Sequence, residues 1–222
     1  MADKNTPSEK LSPWWRNSVI IVLVIGFAVL IWMSVRVYKD APPIPEKVVG
    51  PSGETIFTRD EIIAGQEVFL KYGLMENGTI WGHGAYLGPD FSAEYLHTLA
   101  MDTSGHLAKQ YYHREWPDLT STERAAVSAE VQQLLKQNRY NLQTKILTFT
   151  LPEVVSYQNQ IRKWTEYFVQ PQLNRGLLFK HIKDTEELQQ LTAFFAWTAW
   201  ASASNRPGKT FSYTNNFPYD PM

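Results

Sequence analysis

Seventeen consecutive residues, Val19 to Val35, carry no charge, and Ser34 is the only polar side chain among them. Nothing else in the chain limits its fold as strongly. An α-helix rises about 1.5 Å per residue, so the run makes roughly 25 Å of apolar cylinder. The hydrocarbon core of a bilayer is about 30 Å thick. The flanks supply the difference. Trp14 and Trp15 precede the run and Trp32 and Tyr38 close it, which suits interfacial aromatic belts. Arg16, Arg36 and Lys39 can extend their charged ends to water. No polar face marks this helix as the surface of a soluble domain. A cleaved signal peptide is the competing reading, but Met33-Ser34-Val35-Arg36 is a poor cleavage site. The expectation is an uncleaved anchor over residues 14–38, preceded by a short cytoplasmic N-terminus, 1–13. Lys4, Lys10 and Arg16 balance Arg36, Lys39 and Lys47, so charge leaves the sidedness open.

Composition removes several functions. There is no cysteine, which excludes disulfides, thiolate-held zinc or iron–sulfur clusters, a thiol nucleophile and thioether-bound haem. Net charge is −1, and no Lys/Arg-rich run is present, so no nucleic-acid partner is indicated. The chain is 44% hydrophobic and 14% aromatic, too apolar for a disordered protein and long enough, at 222 residues, for one domain plus an appendage.

Beyond the anchor, Pro42, Pro43, Pro45 and Pro51 mark residues 39–57 as a stiff linker, with a short hairpin between Val48 and Phe57. Thr58-Arg-Asp-Glu61 and Thr120-Ser-Thr-Glu123 have capping-box spacing, opening helices to about Lys71 and Asn138. Gly73 is the stop of the first. Leu74 to Pro89 is glycine-rich and reads as a compact loop without regular structure. Ser92 to Trp116 predicts a helix weakened at Gly105 and ended by Pro117. Tyr140 to Thr150 is a strand or an extended turn. Val154, Tyr157, Ile161, Trp164 and Phe168 lie near helical spacing over 153–169. Asp184 caps a last helix to about Ser202, which carries Phe194, Phe195, Trp197 and Trp200. Residues 204–222 read as an extended tail.

Function is carried by two segments, Ala64-Gly-Gln-Glu-Val-Phe69 and Gly82-His-Gly-Ala-Tyr-Leu-Gly-Pro-Asp-Phe91. Their order, with Gly65 and Gln66 in the first and Gly82, His83, Gly84, Ala85, Tyr86 and Pro89 in the second, resembles the c-type cytochrome subunit of bacterial nitric oxide reductases. There a haem-attachment motif lies between the two. Here Leu74 and Asn77 occupy the cysteine positions and Gly78 the histidine position. A cytochrome-c-like frame without haem attachment is similar to the N-terminal region of quinol-dependent nitric oxide reductase. Tyr38-Lys-Asp-Ala-Pro-Pro-Ile-Pro45, Trp197-Thr-Ala-Trp-Ala-Ser-Ala-Ser-Asn-Arg-Pro207 and Tyr213-Thr-Asn-Asn-Phe-Pro218 agree with it, so the resemblance spans essentially the whole chain.

The resemblance implies a mostly α fold: one N-terminal transmembrane helix plus a soluble cytochrome-c-like α domain, 58–203, with a minor β-hairpin. It implies a bacterial inner-membrane location with this domain on the extracytoplasmic, periplasmic side. In that family a helical bundle holds haem b, a high-spin haem b and a non-haem iron, and turns two NO into N2O and water with electrons from quinol. The domain caps that bundle, which with the lipid bilayer is its expected partner. No catalytic residue, cofactor or metal is expected in this chain, which stops at Met222 where the family continues into the bundle. It is expected to be inactive alone, as a fragment or a split subunit.

Other residues invite sharper readings. His83 is a candidate ligand for a noncovalent haem, although a lone His between glycines more often bonds its own loop. His97, His106 and His113 are candidates for a zinc or copper site, but a histidine-bearing surface is the plainer account. Met75 or Met101 as a relic axial ligand competes with core filler, the preferred reading. Glu186 with Glu187, and Asp90 with Glu94, are read as helix N-terminal carboxylates and not acid/base pairs. Asn77-Gly-Thr79 has the spacing of a glycosylation sequon, which carries little weight in a bacterial protein. Trp197 and Trp200 are either core filler or, with Asn215 and Asn216, a docking surface. A membrane-anchored small-molecule-binding or sensor domain is the alternative function, and an electron-transfer subunit with noncovalent haem is a third.

Overall fold

A computed structural model describes residues 12–170, 177 and 181–217. The chain divides into two compact units, Met1–Ala41 and Pro42–Met222. In the first, Pro13–Asp40 forms one 28-residue helix, α1. Its proline occupies the first turn, where the missing N–H costs nothing, and the Ser12 side chain accepts the Trp14 N–H. None of its residues is buried, and it is long and apolar enough to cross a membrane. It extends the predicted span slightly at both ends.

The second unit is mostly helical. Its helices are α2 (Arg59–Lys71), α3 (Phe91–Tyr112), α4 (Ser121–Lys136), α5 (Leu151–Val169) and α6 (Thr185–Ala203). Both expected capping boxes form: Thr58 and Thr120 accept from the N–H groups of Glu61 and Glu123, whose carboxylates accept in return. Glu153 likewise accepts the Thr150 N–H at 2.6 Å and its hydroxyl at 2.7 Å. Helix α6 crosses the unit. It lies along α2 and also packs on α3 and α5. Gly65 permits the close α2–α6 approach: a Cβ there would run into the Gln190 carbonyl and stand 2.8 Å from the Phe194 Cβ.

The expected hairpin exists, with β1 (Lys47–Val49) antiparallel to β2 (Thr55–Thr58). In the segment between α2 and α3, Thr79–Ile80 (β3) pairs antiparallel with His83–Gly84 (β4). The hairpin belongs to a larger sheet. Tyr140–Asn141 and Ile146–Thr148 form β5 and β6, and the strand order is β2-β1-β6-β5, with β1 parallel to β6. The proline-rich stretch is therefore no free spacer. Val48 is fully buried, and the Pro43 carbonyl accepts the Trp197 indole N–H at 3.0 Å. The tail also differs from expectation. Ser204 to Phe217 folds back: Tyr213 N–H reaches the Ala201 carbonyl, and Asn138 donates to Asn205 O and Tyr213 Oη. Residues 218–222 of that predicted tail lie outside the described residues.

Helix α3 ends earlier than its proline implied. His113 takes the left-handed conformation, φ 54°, and Pro117 sits inside a separate 3-10 turn, Trp116–Asp118. The core is a stack of rings centred on Phe91. Phe195 lies parallel to it at 4.9 Å, with Trp164 at 5.6 Å, Phe69 at 5.9 Å and Phe168 at 6.2 Å. Beside it, Arg139 and Glu153 form a buried ion pair, with both carboxylate oxygens 2.6 Å from one guanidinium nitrogen. Other Arg139 donors go to the Thr148 and Leu134 carbonyls.

Candidate functional site

The segment between α2 and α3 is more ordered than a plain loop. Leu74–Glu76 forms a 3-10 turn, followed by the β3–β4 pair. Leu74 is completely buried and Asn77 nearly so; the Asn77 Oδ1 accepts the Tyr167 hydroxyl at 3.2 Å. A buried, bonded Asn77 is a poor glycan acceptor, whatever the Asn-Gly-Thr spacing. Gly78 has no room for a side chain. A Cβ there would meet the Pro89 carbonyl and lie 2.7 Å from Phe91 Cε2.

These observations decide whether the segment fits a covalently held haem. Leu74 and Asn77 supply no thiol. An imidazole at position 78 would need the space that Phe91 occupies. Phe91 itself is stacked on Phe195 and Phe168, in the middle of the core. The residues present do not fit the group.

The other face of the segment is open. Gly82 lies in the left-handed region, φ 77°, and packs against the Phe217 ring, which leaves no space for a Cβ. Gly84 is equally tight against the backbone of Gly78. Ala85 N–H donates to the Met75 carbonyl at 2.7 Å, and Pro89 O accepts from Thr79 N–H. Tyr86 is 86% exposed, Leu87 69% and Phe217 51%. His83 is exposed too, and Gln66 lies on the outer side of α2. The Trp81 indole donates to the Thr198 carbonyl and lies 5.7 Å from Trp197, whose own indole reaches Pro43. Pro43 and Phe217 thus flank one corner of the unit, built on Trp81, Gly82 and Trp197.

Other candidate residues are dispersed. Trp197 and Trp200 are buried, and Trp200 packs on Tyr140 and Tyr213, so of the two readings the core-filling one describes their positions. Asn215 and Asn216 both have positive φ, 57° and 62°; the Asn216 Oδ1 accepts the Ser212 N–H, so it shapes the turn. Met75 and Met101 are 43% and 39% exposed, and neither fills the core as expected. Met101 and His106 line a shallow cleft of about 300 Å³ between α3 and α5. His113 lies beyond the end of α3, so it does not share a helix face with His106. Among the described residues, no three His, Asp or Glu side chains gather closely enough to hold a metal.

Two of the candidate carboxylates make side-chain bonds between elements of the fold. Glu187 accepts from the Lys71 ammonium and, at 2.7 Å, from the Tyr72 hydroxyl, joining α6 to the end of α2. The Lys71 bond, and then the Tyr72 bond, hold the Glu187 carboxyl below its ordinary range. Asp90 binds the loop itself: its Oδ2 accepts the Gly82 N–H at 2.6 Å and the Thr79 hydroxyl at 2.7 Å. In the sequence Asp90 is legible only as a helix-start carboxylate. The Pro89-Asp90 pair before a helix is the available signal.

The model of one protein family matches residues 45–219: the NorB cytochrome c-like domain of nitric oxide reductase. No curated protein matches the chain.

Proposed function

The chain belongs to the NorB cytochrome c-like domain family of nitric oxide reductase, and from that premise we propose that it is the haem-free structural part of a quinol-dependent nitric oxide reductase. It is anchored in the bacterial inner membrane through α1 and caps, on the extracytoplasmic face, a helical bundle that carries haem b, high-spin haem b and non-haem iron. Quinol oxidation and NO reduction belong to that bundle. The chain supplies no ligand to those centres and is inactive alone.

The haem-free reading is supported by the loop 74–78, where thiols and a ligand are missing and Phe91 fills the space. One observation carries the capping role. Tyr86, Leu87 and Phe217 stand exposed around the turn at Gly82, where the Phe217 ring packs and the Tyr86 hydroxyl reaches the Gly82 carbonyl. An exposed apolar, aromatic patch of this kind suits a docked protein partner.

The experiment is co-purification of the full chain with the catalytic subunit that carries haem b from membranes, with NO consumption driven by quinol as the readout. Association and turnover are expected together, and neither from the chain by itself. A chain that never associates with such a subunit would overturn the reading.

A further inference from the structure

The loop that presents Tyr86 and Leu87 has little ladder to hold it, since β3 and β4 contribute two residues each. Backbone bonds from Thr79, Ala85 and Gly88 tie it to its neighbours, and one carboxylate adds side-chain bonds at the reversal, with separate roles for its two oxygens. Asp90 precedes α3. Its Oδ1 accepts the Ala93 N–H at 2.9 Å and caps the helix. Its Oδ2 accepts the Gly82 N–H at 2.6 Å and the Thr79 hydroxyl at 2.7 Å. Thr79 is buried in β3. Between β3 and β4 the chain reverses through two consecutive left-handed residues, Trp81 at φ 52° and Gly82 at φ 77°. A tryptophan in that region is conformationally costly. Short bonds to a carboxylate, about twice as strong as neutral ones, offset the cost. Trp81 N–H adds a bond to Ser92 Oγ, and its indole one to Thr198 O. The reversal is thereby fixed to the first turn of α3 and to α6, and Tyr86 and Leu87 project between the backbone bonds that Ala85 and Gly88 donate to Met75 and Asn77.

We infer that Asp90 is the positioning residue of the docking loop: its Oδ2, not its capping Oδ1, fixes the 79–84 reversal so that Tyr86 and Leu87 stand ready for a protein partner. This rests on reading that loop as the capping surface.

Asp90→Ser separates the two oxygens, because a serine caps a helix as well as an aspartate and has no second oxygen for Gly82 and Thr79. Hydrogen–deuterium exchange of the full chain in detergent micelles reads the result. Loop peptides covering 79–86 are expected to exchange roughly tenfold faster or more in Asp90→Ser, as loss of a bond to a charged group implies. The first turn of α3 and the peptides of α4 keep wild-type protection. If Asp90 only caps the helix, Asp90→Ser exchanges like wild type everywhere, and the inference falls. Thr79→Val, which leaves the cap untouched, carries the same test should Asp90→Ser not fold; wild-type loop exchange there overturns the clamp.

A second arm uses the reductase complex. Asp90→Ser is expected to co-purify with the catalytic subunit at lower yield, and so is Y86S/L87S, which keeps the clamp. Full co-purification of Asp90→Ser with a loosened loop overturns the positioning role. Full co-purification of Y86S/L87S overturns the capping surface instead, while the exchange result still judges the clamp.

Discussion

Gly78 and Gly65 are empty positions whose emptiness is used. At Gly65 a methyl group meets the Gln190 carbonyl across the α2–α6 crossing. Gly65→Ala is expected to lower stability by about 1–3 kcal/mol through overpacking, read as a lower urea midpoint at unchanged slope. The Arg139–Glu153 pair is the converse case, a buried charge held by several partners. Glu153→Ala leaves the guanidinium unpaired beside the core and removes the bonds at the start of α5. It is expected to cost about 3–5 kcal/mol, measured by thermal or urea unfolding. Neither glycine role is visible in the sequence as such, because a glycine used for space and one used for a turn are written alike. Only the family resemblance singles out Gly65. The buried pair is invisible in the sequence because Arg139 lies just before a strand and Glu153 at a helix start, and their meeting is purely tertiary.

Helix starts are legible where side chains act within three residues of themselves. Thr58 with Glu61 and Thr120 with Glu123 cap as their spacing requires, and Thr58→Ala is expected to cost about 1 kcal/mol of unfolding free energy. Helix ends are less legible. Pro117 marks an end for α3, yet His113 ends the helix ahead of it, through a left-handed backbone that no composition rule announces. The small sheet is half legible: the β1–β2 hairpin is local, whereas the parallel β1–β6 pairing joins segments far apart in the sequence. At the α2–α6 joint, Glu187 also illustrates the sign of a pH effect. Its carboxyl is held below its ordinary range in the folded chain by Lys71 and then Tyr72. The unfolded chain therefore binds the proton first as pH falls, so the joint stabilises fully above the ordinary carboxylate range and is lost as pH drops through the lowered value. Glu187→Gln is expected to flatten that acid limb of the unfolding midpoint against pH while lowering the midpoint at neutral pH. A wild-type acid limb in the variant would assign the effect to other carboxylates.

At the scale of the whole molecule there is an apolar helix, α1, long and apolar enough to cross a membrane, and a mostly helical unit whose core is packed with its own rings. Helix α1 is legible because its apolar run is uninterrupted. The frame is legible through its two short segments, not through periodicity. The exposure of Tyr86, Leu87 and Phe217 is not, since it depends on how the tail folds back over Gly82. The decisive question is whether the core rings leave space for porphyrin. Absorption spectroscopy of the purified full chain after haem reconstitution answers it. The expected result is no Soret band beyond free haem, including in the triple variant with Leu74→Cys, Asn77→Cys and Gly78→His. A ligated Soret band from the natural chain, or a covalent haem spectrum from the triple variant, would contradict it.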